Sequence, residues 1–249
     1  MRLLLIGCGL LLRELSDAIV RSPHLIEARF LPAGLHDSGA KLMRQRLQQE
    51  IDAADTSNYD AIVLGYALCG MGMAGLKAPA VPLVVPRAHD CITLLMGSRE
   101  KYVEYFHANP GVYFRSVGWM ERSREIHDQL FAGGLSQDRD ALIAKYGEEA
   151  GQYLYEEATR YRKSYRKLTY IRTASEFDDH FAELAQAEAR EKNWSYEEFA
   201  GSLTLFRRLL AGDWQSDFLI VPPGQVIQAT QTDGIIDSAS PPACNLIGK

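Results

Sequence analysis

The chain has 249 residues, 47% hydrophobic and 24% charged, enough for a single α/β domain with a substantial buried core. Its 27 basic and 32 acidic side chains leave a net charge of −5, so composition offers no electrostatic reason to expect nucleic acid or an anionic membrane surface as a partner.

The first segment, "MRLLLIGCGLLLREL", imitates a lipoprotein cleavage site in "LIGC". Only seven residues precede Cys8, however, whereas a signal peptide needs a charged region and then about 7–15 apolar residues before cleavage. The segment reads instead as a buried strand over residues 3–6, a turn at Gly7-Cys8-Gly9 and an amphipathic helix carrying Glu14, Asp17 and Arg21. A cytoplasmic protein is expected, in which cysteines stay reduced and serve more often as ligands or catalysts than as disulfides. Further strand-like runs follow at residues 27–36, 60–67, 82–88, 112–118, 168–173 and 217–223. Helical periodicity fits 10–22, 38–55, 98–107, 119–131, 138–166, 175–191 and 196–211. Strands alternating with helices predict an α/β fold with a mostly parallel sheet flanked by helices. The long helical portion breaks that alternation and is expected as an inserted helical cap over 119–166, and residues 229–249, with "SASPPAC", as a loosely held tail.

After the third strand, "LGYALCGMGMAGLKAP" contains Gly70, Gly72 and Gly75, which spell G-x-G-x-x-G. A dinucleotide-binding turn requires its third glycine to open a long crossover helix aimed at a pyrophosphate. Pro79 and Pro82 leave room for scarcely two turns, although Asp90 stands near the spacing of a ribose-binding acid. A tight loop whose glycines bring the backbone close to a neighbour is the better reading, with Gly70 and Gly72 as candidate cofactor contacts.

Cys8, Cys69 and Cys91 each fall just past the carboxyl end of a different predicted strand. In an open parallel sheet those ends share the edge where ligands bind. His36 closes the second strand in "AGLHD", and His89 precedes Cys91 by two in "PRAHDC", so five metal-competent side chains converge on one edge. Taken singly, each has a plainer explanation: a free cysteine is a small hydrophobe and a lone histidine a hydrogen-bonded residue. Three cysteines at equivalent topological positions favour a site. Cys244, in the tail, is read as incidental. Tyr102, Tyr105 and Phe106 recur at helical spacing and read as packing; Tyr113 and Trp119 are candidate pocket lining. "RYRKSYRK" (160–167) reads as a solvated face with half-buried tyrosines rather than a base-stacking surface.

The segments "YDAIVLGYALCGMGMAGLKA", "VPLVVPRAHDCITLLMGSREKY" and "NPGVYFRSVGW" resemble the family called domain of unknown function 1638, from the first strand through the final "VPPG", with 84–102 the most specific part. The resemblance points at Cys8, Cys69, His89, Asp90 and Cys91, and it implies a tie to corrinoid-dependent methyl transfer.

Thiolates with imidazole suit zinc, and ligands spread over several strands at a functional edge suit catalysis better than a structural clasp. Arg87 could clamp a carboxylate or phosphate, and Asp90 is the second catalytic candidate. The expectation is a zinc-dependent enzyme acting on a small molecule, with methyl or related group transfer involving a thiol and a corrinoid or methyl-transfer protein as partner. The alternative is a non-catalytic protein that binds or delivers a metal or metallocofactor, either a corrinoid or an iron–sulfur cluster. For the fourth ligand, His89 shares a strand face with Arg87 and Cys91 and lies in the family-like segment, whereas His36 would arrive from a separate strand.

Overall fold

The computed structural model describes residues 1–126, 139–174, 177–232 and 234–241, the side chains of residues 161 and 162 excepted. The chain is α/β, with two parallel-strand sheets rather than the one expected. The larger has the order β2-β1-β3-β4-β8, from Arg2–Cys8 (β1), Leu25–Leu31 (β2), Ala61–Gly65 (β3), Leu83–Pro86 (β4) and Phe218–Val221 (β8). β1 to β4 run parallel, and β8 joins β4 antiparallel with Leu83 opposite Val221. The central strands are continuous apolar runs, as strands covered on both faces must be: Leu3, Leu4, Leu5 and Ile6 are fully buried, as are Ile62, Val63 and Leu64.

Helix α1 (Leu12–Arg21) is seated on this sheet by glycine. Gly7 and Gly65 face each other in register on β1 and β3, and a Cβ on either would come within 2.9 and 2.7 Å of Leu15 Cδ1. The missing side chains make the hollow that Leu15 fills. Helix α2 (Ala40–Asp52) buries Met43, Leu47 and Ile51, a stripe at helical spacing.

The chain leaves the large sheet after β4 through α3 (Cys91–Met96) and α4 (Arg99–Ala108) and builds a second sheet before returning at β8. This sheet, β5-β6-β7, consists of Val112–Arg115 (β5), Lys167–Arg172 (β6) and Ser195–Ala200 (β7), all parallel. Helix α8 (Asp178–Glu191) lies close to it because Ala182, Ala185 and Ala189 face the sheet. The expected helix over 196–211 begins only at α9 (Thr204–Leu210). Residues 195–200 pair with β6 instead, where Lys167 Nζ meets Glu197 at 2.5 Å and Arg172 meets Glu198. Cross-strand partners override the helix-compatible composition of "SYEEFA".

The helices expected as a cap form the crossover from β5 to β6: α5 (Val117–Glu121), α6 (Arg139–Tyr146) and α7 (Glu148–Thr159). Tyr165 of the 160–167 stretch packs with Tyr113 and Trp194. The segment read as a tail contains a hairpin, β9 (Val226–Ala229) with β10 (Ile236–Ala239), in which Ile227, Ile235 and Ile236 are buried. Residues 242–249, with Cys244, lie outside the described residues. Among the described residues no helix is long and apolar enough to cross a membrane.

Candidate functional site

In the order β2-β1-β3-β4 the chain departs from β1 to one side and later returns to the other, so the crevice past the carboxyl ends of β1 and β3 is the topological switch point, where open α/β sheets bind ligands. Cys8 is the last residue of β1. Beyond β3 and β4 the two chains stay together for two more amides: Leu68 N–H donates to Ala88 O and Cys69 N–H to His89 O, each at 2.9 Å. This extension carries Cys69 past the sheet beside Cys91, the first residue of α3.

The three thiols are free, Cys8 buried and Cys69 and Cys91 half-buried, and they lie near enough for charge on Cys8 to disfavour charge on Cys69 and for charge on either to disfavour it on Cys91. Burial pushes Cys8 up to about 11, opposed by the backbone amides of Leu10, Leu11 and Gly34 and by the nearby Tyr66 hydroxyl. Burial raises Cys69 and Cys91 further, reinforced by the other thiols and by Asp90. Cys8 thus sits in a cradle of donors suited to a thiolate, inside a site that leaves thiols protonated in the absence of positive charge. Tyr66 is 2% exposed, and its hydroxyl finds no partner of full hydrogen-bond geometry among the described residues.

The glycine loop runs from this site to the C-terminal hairpin. Cys69, Gly70 and Met71 are consecutively left-handed, with φ of 44°, 61° and 75°, and two of the three are not glycine. Such backbone is strained and concentrates at functional sites. A Cβ on Gly70 would meet nothing within 4 Å, so the space over the loop is open there; at Gly72 it would collide with Met43, so that glycine serves packing against α2. No helix follows Gly75. Its amide donates to Ile227 O at 2.7 Å, fastening the loop to β9.

The remaining predicted residues separate. Asp90 caps α3, accepting from Thr93 N–H at 3.1 Å, and also accepts from the Tyr102 hydroxyl at 2.8 Å. Arg87 donates to Gly234 O at 3.0 Å and to Ile236 O, clamping the hairpin. His89 is exposed. His36 is half-buried and stands 3.4 Å from Asp37, whose carboxyl is raised by burial and acts electrostatically on Cys69. Three cysteines and two carboxylates therefore share one neighbourhood, while the histidines lie toward its margin. Among the described residues no three His, Cys, Asp or Glu side chains already stand around one point as a ready cation cage. Tyr66 and Tyr102 went unrecognised from sequence; the only signal for Tyr66 was a tyrosine closing an apolar strand three residues before a cysteine. Tyr113 lines a cavity of about 380 Å3 with Arg115, Lys192 and Trp194, whereas Trp119 packs on the main core.

No curated protein and no solved structure shows significant similarity to the chain. A family match covers residues 30–210, leaving Cys8 outside it and Cys69, His89, Asp90 and Cys91 within. That match spans well over half of the chain, which therefore belongs to the family described as "Protein of unknown function (DUF1638)".

Proposed function

We propose that this chain is a metal-dependent enzyme acting on a small molecule, transferring a methyl or related group to or from a thiol, with Cys8, Cys69 and Cys91 holding zinc. The observation that supports this reading is the approach of one buried thiol, Cys8, and two half-buried ones, Cys69 and Cys91, past three adjacent parallel strands at the switch point, with the amides of Leu10, Leu11 and Gly34 favouring charge on Cys8. The donor set fits a thiophilic cation, whose charge would reverse the effect of burial on the thiols. Bound there, zinc would supply Lewis acidity, lowering the pKa of a substrate thiol or water. The chain's own residues do the positioning. The amides of Leu10, Leu11 and Gly34 hold negative charge on Cys8, the Asp90 cap fixes the turn that carries Cys91, and the open face of Gly70 leaves a path for substrate. The reading includes a reducing, cytoplasmic setting and a corrinoid or methyl-transfer protein as partner.

A second reading, binding or delivery of a metal, an iron–sulfur cluster or a corrinoid without catalysis, is favoured by one observation. Asp90 and Arg87 are both engaged in holding structure, which leaves neither of them as an uncommitted acid, base or clamp.

Elemental analysis of protein purified without oxygen tests the shared premise. About one zinc per chain is expected, lost in Cys8→Ser, Cys69→Ser and Cys91→Ser and retained in Cys244→Ser. Protein that stays metal-free when supplied with zinc overturns it. Cobalt(II) substitution then separates the readings: added 2-mercaptoethanol should shift the visible bands if a coordination position is open to a substrate thiol, and leave them unchanged in a closed delivery site. Metal retention in His89→Ala and His36→Ala identifies a histidine ligand.

A further inference from the structure

A second site lies between the carboxyl edges of the two sheets. A Cβ on Gly118, at the start of α5, would collide with the Leu10 carbonyl oxygen, so only glycine lets the turn after β5 rest on the turn after β1. Beside this seam a cleft of about 760 Å3, within the range of small-molecule sites, is lined by Arg13, Glu14, Asp17, Glu121, Thr173 and Phe177. Thr173 follows β6, and the adjoining Ala174 is held left-handed at φ 61° although it carries a side chain.

Glu14 is 2% exposed. Its Oε1 accepts from the Thr173 hydroxyl at 2.9 Å, while Oε2 is buried without a partner among the described residues. A carboxylate in that setting is costly unless charge and hydrogen bond are both answered. The guanidinium groups of the cleft hydrogen-bond elsewhere, although the charge of Arg13 also reaches Glu14. Arg13 pairs with Glu121 and lies 4.2 Å from the Phe177 ring centre, and Arg122 meets Glu125 at 2.6 Å. Asp178 is no substitute donor: it is itself acidic, accepts from the Tyr170 hydroxyl at 3.0 Å, and adds to the burial that raises the Glu14 carboxyl.

We propose that this cleft binds a small organic ammonium, whose N–H donates to Glu14 Oε2 and whose charge the carboxylate balances. A divalent metal is disfavoured as occupant because one carboxylate oxygen is available and no three ligating side chains gather there among the described residues. The inference stands independently of metal at the cysteines.

Titration of the full chain by NMR with n-butylammonium chloride, and separately with tetramethylammonium chloride, tests it. The first should bind saturably, and the second, which has the same charge but no N–H to donate, at least about tenfold more weakly, the scale of one charge-assisted bond. Glu14→Gln, which keeps the shape, should weaken n-butylammonium by at least about tenfold with the folded spectrum intact. Should that variant misfold, discrimination between the two ions by the wild type reads the same contact. Equal binding of both ions, binding of neither, or undiminished binding by folded Glu14→Gln overturns the proposal.

Discussion

Glu14 and Tyr66 each carry a buried oxygen without a hydrogen-bond partner among the described residues. For Glu14, burial is the largest influence and raises the carboxyl; its own backbone amide, the Thr173 hydroxyl and Arg13 oppose it, and the nearby Asp178 adds to it. A carboxyl raised on folding binds more protons in the native than in the unfolded state. Its contribution is therefore fully present below its ordinary value of about 4.5 and is lost as pH rises through the raised native one. Wild type should lose stability over that interval relative to Glu14→Gln, and urea unfolding at a series of pH values checks this; parallel curves would refute it. Tyr66 faces the Cys8 thiol. Metal at Cys8 would make its sulfur a charged acceptor within reach of that hydroxyl, so Tyr66→Phe should retain metal but weaken its affinity by about 10–100-fold, as loss of such a supporting partner does, measured by competition with a chromophoric chelator.

At the scale of elements, glycines decide how closely the pieces meet, and they differ in kind. Gly70→Ala places a Cβ in open space on a left-handed backbone and should cost only about 1–2 kcal/mol. Gly118→Ala drives a Cβ into the Leu10 carbonyl, which cannot swing aside as a side chain would, and should cost at least the upper end of the roughly 1–3 kcal/mol typical of overpacking. Chemical denaturation of the two variants should rank them in that order. Element type was readable where hydrophobic period was strong, as in β1, β3, β4, α1 and α2. It failed at β7, where "SYEEFA" becomes a strand because β6 offers Lys167 and Arg172 as partners for Glu197 and Glu198. Those partners lie about 30 residues away, beyond the reach of any local pattern.

Over the whole molecule, the chain leaves one sheet, builds a second and returns, and the C-terminal hairpin fastens the result. Arg87 holds the hairpin by the Gly234 and Ile236 carbonyls, and the hairpin holds the glycine loop through Gly75, Leu76 and Ala78. Arg87→Met should therefore cost about 1.5–3 kcal/mol, the range for hydrogen bonds from a charged donor, and should increase amide exchange across residues 66–78 as well as 226–239. Exchange confined to the hairpin would show that the loop does not depend on it.

Sequence alone determined the class of fold, the apolar strands of the large sheet and the placement of three cysteines past separate strand ends. These follow from local period and from the rule that parallel strands share a carboxyl edge. Tertiary structure decided the rest. The strand order brought Cys8, Cys69 and Cys91 into one neighbourhood, the two-amide extension of β3 and β4 set Cys69 beside Cys91, and Asp90 and Arg87 were engaged as a helix cap and a hairpin clamp. The split into two sheets, and with it the buried carboxyl of Glu14 in the cleft between them, left no mark in the sequence. A charged residue on an amphipathic helix reads as solvent-facing until a second sheet closes over it, here through Thr173, 159 residues later.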